Sequence, residues 1–299
     1  MKTPLTRWCL AFFALCLLNG QSQADQPREV EDCRISTEQA SVENGVIHYR
    51  QAGHGSPILL LHGLFAQKEQ WDALLCLLSA SGYQAIAPDL PGYGQSTGFP
   101  LANYKLENQA ERLHQFANAL GLTRFDLAGN SMGGAIGALY ARAHPQQVRS
   151  LAFIGAPMGV VGWGKGVREA IYRGVNPFIP TDASQLDTEM SLLFVKPPVI
   201  PEATKAAVAK GYDEQNRHYQ QVWNIVNLYG DVLGHCPKSQ LPTLILWGQD
   251  DAIFPVEGID RLRHCYVRAK RIRLPNAGHL PQLEAPEKTA GIYLQFLLR

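Results

Sequence analysis

The sequence predicts an α/β protein: a mostly parallel sheet with helices on both faces and a helical insertion ahead of the last two strands. Three observations predict it. From Gly45 the 299-residue chain alternates strand-like and helix-like segments, as a parallel sheet wound on both sides requires. The run over 58–61 is continuously apolar, which suits a strand covered on both faces. Between about 158 and 237 the alternation stops, and Pro177, Pro180, Pro197, Pro198 and Pro201 punctuate helical runs.

Strands are predicted over 46–50, 58–61 and 83–87, the last ending at the turn-rich Asp89-Leu90-Pro91-Gly92-Tyr93-Gly94. Residues 104–120 place Leu106, Ala110, Leu113, Phe116 and Leu120 at helical spacing and stop at Gly121. A strand over 125–128, a small-residue helix over 132–143 and a strand over 148–154 follow. Helical runs near 184–194, 202–217 and 218–229 make up the insertion. The alternation resumes with a strand at 244–247, a helix at about 256–266, a strand at 272–274 and a helix at about 286–298. The expected organisation is an N-terminal extension over 25–44, a core over 45–157, a helical cap over 158–237 and a second part of the core over 238–299. Long insertions at the carboxyl edge of such sheets tend to carry function, because ligands bind there.

Hydrophobic residues make up 46% of the chain and charged residues 18%, enough to bury a sizeable core and to exclude global disorder. The balance of 27 Lys+Arg against 26 Asp+Glu gives a net charge of +1. That leaves no basic field for nucleic acid and no polybasic patch for anionic lipid.

Residues 1–24 read as a signal peptide. Lys2 and Arg7 precede an apolar run over 8–18, Asn19-Gly20 breaks it, and Ser22-Gln23-Ala24 places small residues for cleavage after Ala24. The apolar run is short for the roughly 20 residues of a spanning helix. An exported, periplasmic or secreted protein with no integral membrane segment after cleavage is expected. Cys9 and Cys16 would leave with the signal. The remaining Cys33, Cys76, Cys236 and Cys265 permit three full pairings in an oxidising compartment, or four buried thiols. The chain re-enters the sheet after Cys236, and the segment ending near Cys265 returns towards the same edge. That favours Cys236 with Cys265 and leaves Cys33 with Cys76. No CxxC spacing or clustered His partners point to a metal.

Gly129-Asn130-Ser131-Met132-Gly133 follows an apolar strand and opens a small-residue helix. A serine at such a turn is held exposed in a strained conformation, beside the free N–H groups and partial positive charge of the helix start. Its hydroxyl needs a base and an orienting acid. His279, in Asn276-Ala277-Gly278-His279-Leu280, is the base candidate. The acid lies in Trp247-Gly248-Gln249-Asp250-Asp251, so all three fall at one sheet edge in the order Ser…Asp…His. The backbone N–H of Met132 is one oxyanion donor. The second is expected from His62-Gly63-Leu64-Phe65, at Leu64, with His62 bracing the loop.

The ordered motifs HGLF, DLPGYGQS, GNSMGG, WGQDD and GH resemble the α/β-hydrolase superfamily over nearly the whole chain after residue 24. Within it the sequence looks most like the bacterial exported lipase/esterase and monoacylglycerol-lipase branch. The stretch over 194–201, FVKPPVIP, also resembles caps of that branch from cold-adapted bacteria. The resemblance implies an α/β-hydrolase fold and two-step acyl transfer through an acyl-serine, with water as second acceptor, no cofactor, and a small-molecule or lipid ester as substrate. It makes Ser131 the nucleophile, His279 the base and, four residues beyond Trp247, Asp251 the acid. Phe65 and Phe194 are candidate pocket residues. Dehalogenases and epoxide hydrolases of this superfamily carry Asp where this chain has Ser131. Carbon–carbon bond and amide hydrolases share the triad, as do relatives that bind ligands without turnover. Glu202, Asp213 and Glu214 could mimic the acidic cap of proline iminopeptidases, although their helical setting reads as a solvated face.

Overall fold

The computed structural model describes residues 33–298, so the signal-peptide reading of residues 1–24 lies outside the described residues. One eight-stranded sheet runs in the order β1-β2-β4-β3-β5-β6-β7-β8. Its strands are β1 (Ser36–Val42), β2 (Gly45–Ala52), β3 (Ser56–Leu61), β4 (Tyr83–Pro88), β5 (Phe125–Ser131), β6 (Val148–Pro157), β7 (Thr243–Gly248) and β8 (Ala269–Leu274). The β1–β2 and β2–β4 pairs are antiparallel and the other five are parallel. The predicted mostly parallel sheet is therefore present, extended by an antiparallel edge.

The central strands read as unbroken apolar runs because each feeds two cores. Leu59 and Leu61 pack on one face while Ile58 and Leu60 pack on the other, and all four are fully buried. Ile245 and Trp247 divide from Leu244 and Leu246 in the same way. The side-chain period of two makes the division automatic. Helices α1 (Asp72–Ser79) and α8 (Pro286–Leu297) cover one face; α2 (Leu106–Ala119) and α3 (Met132–Ala143) cover the other.

Three local features depart from the sequence reading. β1 lies inside the expected N-terminal extension and pairs with β2 across a tight turn at Glu43-Asn44, where Asn44 takes φ 69°. The mostly exposed, polar strand has no apolar alternation to betray it. A helix α4 (Lys165–Tyr172) opens the cap before α5 (Ala183–Leu193), α6 (Glu202–Glu214) and α7 (Asn216–Asn227). The helix expected at 256–266 is instead two 3₁₀ turns, Val256–Asp260 and Leu262–His264. Gly258 is pressed against the Trp247 ring, and glycine weakens an α-helix by about 1 kcal/mol relative to alanine.

Two cystine bridges tie these parts together. Cys33–Cys76 joins the segment before β1 to α1, and Cys236–Cys265 joins the cap's exit to the end of the second 3₁₀ turn. Among the described residues, no helix is long and apolar enough to cross a membrane.

Candidate active site

Ser131 sits where β5 becomes α3, with φ 52° and ψ −119°. A side chain in that left-handed region costs of order 1–3 kcal/mol and persists only where the surroundings dictate it. Here they do. A side chain at Gly133 would run into the Leu61 and His62 carbonyls, so the helix start can press onto the end of β3. The Ser131 carbonyl accepts from the Met158 N–H at 3.0 Å, fixing the turn to the end of β6. Met132, the first residue of α3, has one of the N–H groups that a helix start leaves without an intrahelical acceptor.

His279 Nδ1 lies 2.9 Å from Asp251 Oδ2, and both residues are buried. The other carboxylate oxygen, Oδ1, accepts from the Ile253 and Phe254 N–H groups, each at 2.9 Å. An ionised Asp251 only accepts, so the ring proton belongs on Nδ1 and Nε2 is left as a lone pair. Asp250 is exposed, and its backbone N–H donates to the Ala277 carbonyl at 3.0 Å. The main chain of His279 is held from two sides. Its carbonyl accepts from Asn130 Nδ2 at 3.1 Å, while its N–H donates to the Leu193 carbonyl of the cap at 3.0 Å.

The loop after β3 completes the cluster. A Cβ on Gly63 would stand 3.3 Å from that of Ser131, so the loop backbone passes directly over the serine. Phe65 takes φ 56°. His62 braces the loop from beneath: Nε2 accepts from the Leu90 N–H at 2.9 Å, and Nδ1 donates to the Gly63 carbonyl at 2.8 Å. Burial pushes this imidazole down to about 4, which keeps it neutral and fixed in that tautomer. Lys68, also buried, reaches Asp89 at 2.7 Å and Glu69 at 3.1 Å. Asp89 in turn accepts from the Lys68 and Gln95 N–H groups, so loops after two strands are locked together.

Ser131, His279, Gly63, Leu64 and Phe65 border one cavity. Apart from Glu189 and Tyr212 its cap side is apolar: Trp163 stacks on Phe254 and Trp223 at 4.9 and 5.4 Å, and Phe178 stacks on Trp223 at 5.4 Å. Phe194 is absent from this wall. The helix α5 ends at Leu193 and the chain becomes extended at Phe194 (φ −120°, ψ 143°). The consecutive side chains part there, Leu193 lining the cavity and Phe194 joining the cap's own core. Glu202, Asp213 and Glu214 lie exposed on α6, with Lys205 bridging Glu202 and Asp187. Among the described residues no His/Cys/Asp/Glu cluster fits a metal.

Asn130 and the cap aromatics escaped the sequence reading. Asn130 occupies the variable position of the glycine–serine motif, where its partners, the carbonyls of Ile154 on β6 and of His279, are brought to it only by the fold. Trp163, Phe178 and Trp223 come from three separate cap segments, and no single helical stripe collects them.

This geometry has counterparts in known proteins. Lipase 3 of Moraxella sp. (strain TA144) is 31% identical over 253 residues, covering 81% of this chain and 77% of that one. The Homo sapiens monoacylglycerol lipase ABHD6 is 28% identical over 258 residues, covering 82% and 76%. A crystal structure of a membrane phospholipase A, described as a bacterial virulence factor, superposes with a TM-score of 0.80 at 33% identity over 96% of this chain and 92% of that one. The model of the alpha/beta hydrolase fold matches residues 56–286. A serine on a strained strand-to-helix turn, a buried Asp–His pair from the last two strand ends and this match together place the chain in the alpha/beta hydrolase fold family.

Proposed function

We propose that the protein is an exported serine hydrolase that cleaves carboxylic esters, of lipase or esterase type, through an acyl-serine intermediate. The observation that carries the reading is the convergence of the Ser131 turn and the Asp251–His279 pair on one apolar cavity. In it, Ser131 Oγ attacks the ester carbonyl while His279 Nε2 takes the hydroxyl proton. Asp251 stabilises the resulting imidazolium. The Leu64 and Met132 N–H groups receive the oxyanion, a contribution of about 3–4 kcal/mol per donor in comparable sites. Collapse breaks the bond to the alcohol, which departs with the proton from His279. Water then repeats the sequence on the acyl-serine and restores the hydroxyl. The apolar cap wall around Trp163, Phe178, Leu193 and Trp223 suits an acyl chain. The relatives named lipases support ester chemistry, and two disulfides suit export to an oxidising compartment.

A fluorophosphonate probe tests the nucleophile and a series of p-nitrophenyl esters tests the reaction. Labelling at Ser131 with multiple turnovers is the expected outcome, and Ser131→Ala should lose at least ~10³-fold in kcat with its fold intact. Labelling without turnover of any ester would instead describe a receptor that retains the triad.

A further inference from the structure

A second cavity lies beside the first, between the cap and the loops that follow β3 and β4. Gln67, Tyr93, Tyr104, His218 and Tyr219 line it, and Phe65, Glu189 and Tyr212 border both cavities. Glu189 is 8% exposed on α5. Among the described residues, no hydrogen bond or salt bridge reaches its carboxyl. The contrast along the helix is sharp, since Asp187 lies in solvent and pairs with Lys205 at 2.8 Å. A buried carboxyl without a partner is costly, and in a native fold it calls for an explanation such as an absent ligand.

The chemistry of the two cavities differs. The wall around Ser131 and His279 is mostly aromatic and aliphatic, with Gln70 and Asn130 as its own polar members beside the shared Glu189 and Tyr212, and suits the apolar acyl chain. The second cavity sets Glu189 beside Tyr212 and Tyr219, whose rings meet at 4.6 Å. Across it, Tyr104 is already satisfied by the Gly92 carbonyl and His218. In an ester, the alcohol half is the part that can carry further hydroxyls.

We propose that the second cavity receives the alcohol half of the ester, and that Glu189 selects alcohols bearing a free hydroxyl, as in a glycerol monoester. This rests on the ester-hydrolase reading above. Burial pushes the Glu189 carboxyl up to about 8, so near neutrality it is protonated. It then donates its O–H to a substrate hydroxyl and accepts through its carbonyl oxygen. A cationic alcohol would need the ionised form, which burial disfavours.

The test compares glyceryl monobutyrate, propyl butyrate and butyrylcholine as substrates of the wild type, Glu189→Leu and Glu189→Gln. The readout is the ratio of kcat/KM for the glycerol ester to that for the propyl ester. It should be about tenfold or more in the wild type, fall towards unity in Glu189→Leu and survive largely in Glu189→Gln, which keeps a donor and an acceptor. A ratio unchanged by Glu189→Leu overturns the proposal, as does a wild-type preference for butyrylcholine over both neutral esters. If the wild type hydrolyses none of the three, the ester reading itself fails, and calorimetric binding decides the cavity's role. Glyceryl monobutyl ether should then bind the wild type more tightly than butyl propyl ether, a preference lost in Glu189→Leu; equal binding overturns the assignment.

Discussion

The N–H of His279 donates to the carbonyl of Leu193 at 3.0 Å, so the residue paired with Asp251 hangs from the cap helix that walls the cavity. Glu284 reinforces the junction. Its two carboxylate oxygens accept from the Gly278 N–H at 2.7 Å and the Val195 N–H at 2.8 Å. The cap and the His279 loop are thereby joined through Leu193, Val195 and Glu284.

Breaking that junction should cost rate more than binding. Glu284→Ala frees the Gly278 and Val195 N–H groups and lets the His279 loop drift, and misplacement of a reacting group by about 1 Å can cost ~10²-fold. We expect kcat to fall at least ~10-fold with KM little changed, and Glu284→Gln, which keeps one acceptor oxygen, to lie between. A native kcat in Glu284→Ala would show that the base loop holds its place without the clamp.

Glu189 should leave a signature in stability as well as in specificity. Its carboxyl is raised by burial from the ordinary 4.5 to about 8. Between those values the folded protein keeps a proton that the unfolded chain has released, so this group's contribution is full below about pH 4.5 and is lost as the pH rises through 8. Glu189→Gln removes the titration. The melting temperature of the wild type should therefore fall more steeply than that of the variant from pH 5 to 9, opening a gap of several degrees. Parallel melting curves across that range would count against the buried carboxyl.

The parts legible in the sequence share a physical cause. The run over 58–61 is apolar at every position because both sheet faces are covered, and the glycines flanking Ser131 are small because the helix start meets the end of β3. What stayed hidden depended on tertiary partners. Glu189 differs from the neighbouring cap acids Asp187 and Glu202 only in which way its helix is rolled, and the spacing of charges does not report that. The parting of Leu193 and Phe194 follows from the residue at which α5 stops, and helix ends are the least readable feature of a pattern. β1 escaped because an exposed edge strand has no buried face to impose alternation.

The bridges make a separable prediction. Peptide mapping without reductant should recover Cys33 linked to Cys76 and Cys236 linked to Cys265. Replacing both Cys236 and Cys265 by Ser should lower stability by about 2–5 kcal/mol, since the loop they close holds the cap's exit against the sheet. Free thiols in the oxidised protein, or a crossed pairing, would contradict it.

Two adjacent carboxylates follow β7, and the geometry separates their surroundings. Asp251 has both oxygens committed, one to His279 Nδ1 and one to the Ile253 and Phe254 N–H groups, while Asp250 faces solvent. Asp251→Asn replaces one acceptor oxygen with a donor NH₂. If the remaining oxygen stays on the two backbone N–H groups, the amide presents its NH₂ to the ring and forces the proton onto Nε2, the nitrogen that takes the serine proton in the proposed reaction. Loss of the correct tautomer costs ~10⁴-fold in kcat in a comparable triad. We therefore expect Asp251→Asn to lose about 10³- to 10⁴-fold in ester turnover, with secondary structure unchanged by circular dichroism. Asp250→Asn should stay within about threefold of the wild type, as an exposed side chain with no bond to the base. The pair of variants is decisive because they differ by one position: if both fold and Asp250→Asn is the more damaged, the orienting acid is Asp250 and the Asp251 carboxylate serves only to hold the turn.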